Sequence, residues 1–376
     1  MSTFCLAIHA DYRCRHSGSC CSSGWPVAVE SPALEGIEAA LAAGRLQLDA
    51  TAAPEASRAA LLDRAAPRPQ GAGAVLGRDD RGRCRFLEVR AGNLCAVHRQ
   101  LGQGGLPSAC RQFPRVCVLE PRGVQISLSH YCPTAARMLF REDADLSLVR
   151  DAPSFPPGWG YDGLLAAGAL PPPLAPGVLL DPEGLSTWEE HGLRTLAREG
   201  SSPERCVAVL QAAAAESRRW RPGGTALGDA IRGAFRAAES REAPPRTFEA
   251  RLRGRRDVAD CAPAAWRDES ASPGAEAFRR LVGSDWAGHG RAVRRYLAAR
   301  FFASWTLQLG AGLATHAASV GAALDVLAVE AARACGSAGR ELDRASLFEA
   351  FRQSDHLLVH LASPERLAAR LSRAEG

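Results

Sequence analysis

From residue 185 to the end of the chain, apolar residues recur at helical spacing in sequence rich in Ala, Leu and Arg and poor in β-branched runs. This spacing predicts helices at 185–199, 203–220, 225–239, 274–283, 290–317, 319–336, 341–353 and 364–374. Three more fit the N-terminal part, at 33–44, 57–66 and 134–141. Otherwise the first 140 residues are irregular, with room for two small hairpins. In CRFLEVRAGNLCAVH, the runs 84–89 and 94–98 flank Ala91, Gly92 and Asn93. In VCVLEPRGVQISLS, Pro121, Arg122 and Gly123 separate 116–120 from 124–129. Residues 67–83 read as a flexible excursion ahead of Cys84, and no internal repeat is present. The predicted fold class is mainly α: an irregular cysteine-rich N-terminal domain with small β-hairpins, followed by a helical C-terminal domain. The expected boundaries are 1–140 for the first and 185–376 for the second. A Pro/Gly-rich connecting segment with little regular structure spans 141–184.

One stretch, 301–332, is apolar enough to raise the question of a membrane. It carries Gln308, His316, Asp325 and Glu330, and much of its apolarity is Ala and Gly, so two packed core helices fit better than a span. His316 is expected as a satisfied core or edge histidine. The opening residues lack the basic and long apolar regions of an export signal, which points to a cytoplasmic, reducing location.

The chain has 376 residues, enough for two domains with buried cores. All 46 basic residues are arginine, which excludes a Schiff-base or Walker lysine within the chain. Net charge is +5 with acids interleaved, and aromatic residues make up 6%. A nucleic-acid binder would concentrate its basic residues on one face among stacking aromatics, so no nucleic-acid partner is expected.

Candidate chemistry is concentrated in the cysteines. Of twelve, nine lie within the first 132 residues, and seven form an ordered series: Cys14, Cys20, Cys21, Cys84, Cys95, Cys110 and Cys132. Thiols gathered this way in a reducing compartment point to metal or iron–sulfur ligation. There is no C-x-x-C knuckle; Cys95 and His98 come nearest to one. Single cysteines delivered from separate loops fit a cluster better than a zinc finger. Cys20 and Cys21 are adjacent, and in an extended segment their side chains would point to opposite sides, so they are not expected to ligate the same ion: one ligates while the other packs, or the two serve two centres. Arg13, Arg15, Arg81, Arg83, Arg85, Arg111 and Arg115 lie near the series and would stabilise thiolates. Cys5, Cys117, Cys206, Cys261 and Cys335 are expected as packing residues.

The residues around this series resemble a known family. Tyr12, Cys14, Cys20, Cys21, Ser22, Ser23, Gly24, Trp25, Pro26 and Val27 are similar to the opening motif of the YkgJ-like cysteine-cluster proteins, described as zinc- or iron-chelating. Cys84-Arg-Phe-Leu, Leu94-Cys95-Ala-Val-His98, Leu106-Pro107-x2-Cys110-Arg-Gln-Phe-Pro114 and Ser127-Leu-Ser-His-Tyr-Cys132-Pro133 resemble the flagellin lysine-N-methylase branch more closely. The likeness covers residues 12–140 well and the helical part only weakly. It implies a 4Fe–4S cluster or zinc on the seven cysteines, S-adenosylmethionine as methyl donor, and a lysine-bearing, flagellin-like protein as acceptor. In the family another cysteine stands between the first and the Cys-Cys pair; here Arg15, His16, Ser17, Gly18 and Ser19 fill that interval.

Methyl transfer has no independent signature in the residues. No strand runs into a Gly-rich turn and helix, and Gly71–Gly77 and Gly310–Gly312 read as structural. Two functions therefore stand side by side. One is a cluster-dependent protein-lysine N-methyltransferase, with Tyr12, Tyr131 and Glu88 as candidate bases. The other is a non-catalytic zinc- or iron-binding module.

Overall fold

The computed structural model describes residues 1–48, 58–66, 72–89, 92–166, 171–241, 246–264, 274–283 and 286–373. They fall into two compact units. The larger comprises 1–12, 116–131 and 135–376; the smaller comprises 13–115 and 132–134. The composition boundaries at 140 and 184 are not where the chain divides. The first strand, β1 (Thr3–Leu6), pairs in parallel with β8 (Gly123–Leu128), and this ties both segments to the larger unit. As a whole the protein is mainly α-helical, with a cysteine-rich N-terminal part and a helical C-terminal part.

The smaller unit has a three-stranded antiparallel sheet of β2 (Ala28–Glu30), β4 (Ala72–Leu76) and β3 (Leu62–Asp63), with β4 in the middle. Residues 72–76 of the expected excursion are thus a central strand, and 67–71 lie outside the described residues. Beside this sheet are α1 (Ser31–Ala42) and the single turn α2 (Arg58–Leu61). Where a helix over 57–66 was expected, α2 gives way to β3, because Leu62 and Asp63 pair with Leu76 and Val75. Gly77 makes this junction possible: a Cβ there would stand 1.9 Å from the carbonyl oxygen of Ala60. The hairpin at 84–98 is shorter than expected, with β5 (Leu87–Glu88) pairing β6 (Leu94–Cys95) and α3 (Ala96–Leu101) following at once. A further short helix, α4 (Ser108–Gln112), begins where Glu30 Oε1 accepts from the Ser108 N–H at 2.8 Å. Val29, Leu34, Ile37, Ala74, Phe86 and Val97 form the centre of a small apolar core.

In the larger unit a five-stranded sheet runs β10 (Leu164–Leu165), β7 (Arg115–Glu120), β8, β1, β9 (Leu148–Arg150). The second expected hairpin is present as the neighbours β7 and β8. A small pair, β11 (Pro173–Ala175) and β12 (Val178–Leu179), lies in the Pro/Gly-rich segment. After α5 (Pro133–Met138), the helices are α6 (Pro182–Ala197), α7 (Pro203–Ser217), α8 (Leu227–Glu239), α9 (Phe248–Ala259) and α10 (Ala275–Phe278). They continue with α11 (Gly290–Phe301), α12 (Trp305–Leu309), α13 (Leu313–Ala338), α14 (Arg344–Asp355) and α15 (Pro364–Arg373).

Several helix starts are written in the sequence. Asp181, Ser202, Thr247 and Asp343 each accept from a backbone N–H three residues on, and proline follows the first two. The expected helix 290–317 instead breaks at 302–304 and 310–312, where Ala303 and Gly312 take positive φ values of 55° and 129°. No break occurs near 318, and α13 runs through it. This helix is long and apolar enough to cross a membrane, but 83% of its most apolar window is buried, as in a core helix. Fully buried Trp188 packs against Phe235, Phe301 and His316 at the centre of the core. His316 has both ring nitrogens engaged, by the Trp188 indole N–H at 3.0 Å and the Phe301 carbonyl at 3.0 Å. The α9 helix, unexpected from periodicity, is anchored through charge: Arg251 reaches Glu204 at 2.8 Å and Arg255 reaches Glu330 at 2.6 Å.

Candidate metal centre

All seven cysteines of the series lie in the smaller unit, and the five others lie in the larger one, where all are buried. Cys20 and Cys21 are the anchor of the site. They lie in a run of turns rather than in an extended segment. Cys21 N–H donates to Gly18 O at 3.0 Å, Ser22 N–H donates to Gly18 O at 3.1 Å, and the Ser23 hydroxyl donates to Cys20 O at 3.1 Å. The turn begins at Gly18, whose φ of 74° is costly for other residues. This overturns the expectation that the two side chains point apart: their sulfurs are 3.8 Å from each other.

Three further ligand candidates come from other stretches of the smaller unit. Cys84 donates its backbone N–H to Cys21 O at 2.6 Å. Cys95 ends β6, where it pairs with Leu87, and the next N–H, that of Ala96, donates to Phe86 O at 2.8 Å. Cys110 lies in α4, which Glu30 caps. Several of these thiols act on one another's ionisation. Cys21 is pushed up by its hydrogen bond to Cys20, then by burial, with further contributions from Cys84 and Cys95. The same hydrogen bond lowers Cys20. Burial raises Cys84 to about 12, with Cys95 and Cys20 adding to it, and Arg78 opposing. Burial likewise raises Cys95, and lifts Cys110 well above the ordinary thiol value, where Cys84, Cys95, Cys20 and Glu30 contribute as well.

Two members of the series are placed differently. Cys14 is exposed, with the His16 N–H 3.4 Å from its sulfur. Cys132 is buried at the start of α5. His98, the partner in the expected Cys95–His98 knuckle, has its ring 6.1 Å from that of His16.

The charges near the thiols also differ from expectation. Arg83 is occupied by Asp79, with contacts of 2.7 and 2.9 Å, and Arg85 donates to Arg78 O at 2.9 Å. The cation that acts on Cys84 is Arg78, which proximity in sequence did not single out. Glu30 was missed too, since it lies 80 residues from Cys110. Glu88 is no free base: Arg99 grips both carboxylate oxygens, at 2.7 and 2.8 Å. Tyr12 and Tyr131 are buried within the larger unit.

As the side chains stand, no group of three or more His, Cys, Asp or Glu among the described residues could hold a metal ion. The donor set nevertheless suits one chemically. Cys21, Cys84, Cys95 and Cys110, all pushed up, remain protonated, and a bound metal ion would supply the charge that converts them to thiolates. No disulfide joins any of the cysteines among the described residues.

The chain matches no family model, no curated protein and no solved structure.

The larger unit contains a second polar assembly that periodicity could not reveal. His130 directs both its backbone N–H, at 2.5 Å, and its Nδ1, at 3.0 Å, to Asp355 Oδ2. The Tyr296 hydroxyl donates to Asp355 Oδ1 at 2.9 Å, with Arg300 3.6 Å from the same oxygen. Nδ1 of His130 is therefore the protonated nitrogen, so its Nε2 accepts from His9 Nε2, 3.2 Å away. Burial works to raise Asp355, but Arg300 and the His130 contacts overcome it and hold the carboxyl at about 2. Burial, joined by Arg300, lowers both histidines; they stay neutral. Around one ionised carboxylate, the assembly joins the segment after β8 to α11 and α14.

Proposed function

We propose that the smaller unit is a thiolate metal centre, binding an iron–sulfur cluster or an iron or zinc ion through Cys20, Cys21, Cys84, Cys95 and Cys110. The observation that carries this reading is the contact of the Cys20 and Cys21 sulfurs at 3.8 Å with the Cys84 N–H on Cys21 O at 2.6 Å, in the unit that also holds Cys95 and Cys110. Thiols that otherwise stay protonated can ionise together when a cation binds among them. Cys14 and Cys132 complete the set implied by the resemblance. The centre needs reduced thiols and hence a reducing compartment such as the cytoplasm.

The test is anaerobic purification followed by determination of iron, acid-labile sulfide and zinc, with the visible spectrum. Stoichiometric metal that is lost on Cys95→Ser or Cys110→Ser supports the centre. Absence of metal from protein made with iron and zinc supplied overturns it.

A second reading, transfer of methyl groups from S-adenosylmethionine to lysines of another protein, rests on the resemblance of residues 12–140. One observation favours it over self-modification: the chain has no lysine, so any acceptor is another protein. Incubation of metal-loaded protein with labelled S-adenosylmethionine and flagellin tests it directly. No label in lysine of any flagellin tried would leave the binding module as the function.

A further inference from the structure

Two arginines of the larger unit are buried without a counter-ion. Helix α11 carries Arg291, Arg294 and Arg295 at i, i+3 and i+4, on one face. All three line a cavity of about 610 Å³, together with Arg141 from the segment after α5. Arg141 is neutralised by Asp11 at 2.5 Å and Asp143 at 2.8 Å, and Arg291 by Glu199. Arg294 and Arg295 are only 7% and 5% exposed, and among the described residues no carboxylate lies within ion-pair distance of either. Arg294 donates to Ser201 O at 2.7 Å, while its buried Nε has no hydrogen-bond partner. Arg295 donates to the carbonyls of Leu139, Arg141 and Ala144. Carbonyls occupy donors but cancel no charge, and a guanidinium has five N–H groups and stays charged. Burying such a charge is costly until an anion joins it. Burial and then Arg291 lower Arg295, and Asp143 does not offset them.

The acids of the lining, Asp11, Glu142, Asp143, Asp145 and Glu199, are all exposed. The cavity is therefore cationic where it is buried and anionic where it meets solvent. Four arginines against five acids leave it no net positive charge, which opposes a polyanion such as a triphosphate. We propose that this cavity binds a small zwitterion, its carboxylate on Arg294 and Arg295 and its cationic end toward the exposed acids. A carboxylate matches the guanidinium fork through paired N–H···O bonds. The volume falls within the roughly 300–1,000 Å³ of small-molecule sites. No cysteine of the metal centre lines the cavity, so the inference stands apart from the reading of the smaller unit.

The experiment is calorimetric titration of the full-length chain with ε-aminocaproate, and with caproate and hexylamine, which each keep one of its two charges. Expected is saturable binding of one ε-aminocaproate per chain. Caproate, without the pairing to exposed acids, should bind about two- to five-fold more weakly, and hexylamine should not bind. Arg294→Met should weaken ε-aminocaproate at least about ten-fold through loss of a charged hydrogen-bond donor. Arg236→Met, exposed on α8, should change nothing. Full affinity in Arg294→Met, or hexylamine binding as tightly as ε-aminocaproate, would overturn the site. Caproate binding the tighter of the two acids would overturn the zwitterion. The three probes on unmutated protein decide the question even if Arg294→Met does not fold: no saturable binding of ε-aminocaproate there sinks the inference.

Discussion

The two units solve the same problem by different means. The larger buries an extended apolar core around Trp188, Tyr296, Phe301 and Phe351, and its five cysteines are buried among ordinary packing residues. Among the described residues the smaller has 15 buried in its apolar core, most of them Ala, Val and Leu, and four of its seven cysteines are only partly buried. The contrast gives cysteine two settings in one chain: a small hydrophobe in the larger unit and, on the proposed reading, a cross-linking ligand in the smaller.

The sharpest way to break this comparison is to withdraw the metal. Chelation is expected to abolish hydrogen-exchange protection across 13–115 while protection across 182–355 persists, since structural metal sites contribute on the order of 10 kcal/mol to folding. Equal loss in both units would erase the distinction. Next in size is Trp188→Ala, which should destabilise the larger unit by about 3–5 kcal/mol in denaturant and leave metal content unchanged.

Acid should separate the units through His316. Burial lowers its folded-state pKa to about 4 from an ordinary 6.5. The unfolded chain therefore binds the proton first. Stability is fully present above pH 6.5 and is lost as pH falls toward 4, by roughly 3 kcal/mol. Stability curves of unmutated protein and His316→Gln should converge over that window; parallel curves would show that His316 does not set the slope. In the smaller unit, Gly77→Ala must push strand against helix at Ala60, and a cost of roughly 1–3 kcal/mol with weakened metal binding is expected. The smallest effect is Cys206→Ser. Its sulfur faces the Thr195 carbonyl at 3.2 Å, so a hydroxyl there finds a partner and the loss should stay near 1 kcal/mol by thermal denaturation.

Much of the helical unit was legible because periodicity and caps agree. α6, α7 and α8 fall close to their expected limits, with Asp181 and Ser202 at the first two starts. α9 was not, because it is anchored by Arg251 and Arg255 to acids on other helices rather than by an apolar stripe. β3 and β4 were missed since their pairing joins short segments separated by Pro/Gly-rich sequence. In the site, the seven cysteines could be picked out by their clustering in sequence, whereas Glu30, Arg78 and the His130–Asp355 assembly depend on approaches across long stretches of chain.

The sequence by itself determined the chemical inventory: twelve thiols, seven of them in order, no lysine, and a helical remainder. Side-chain identity and short-range spacing suffice for that, because they need no knowledge of which distant segments meet. Tertiary structure decided the rest. It folded Cys20 and Cys21 into a turn that aligns their sulfurs, set the Cys84 N–H on Cys21 O, kept Cys95 and Cys110 in the same unit, and sent Cys5 and Cys117 into the larger one. The physical reason is that strand pairing and core burial act between residues far apart in the chain, and no local pattern encodes where those residues meet.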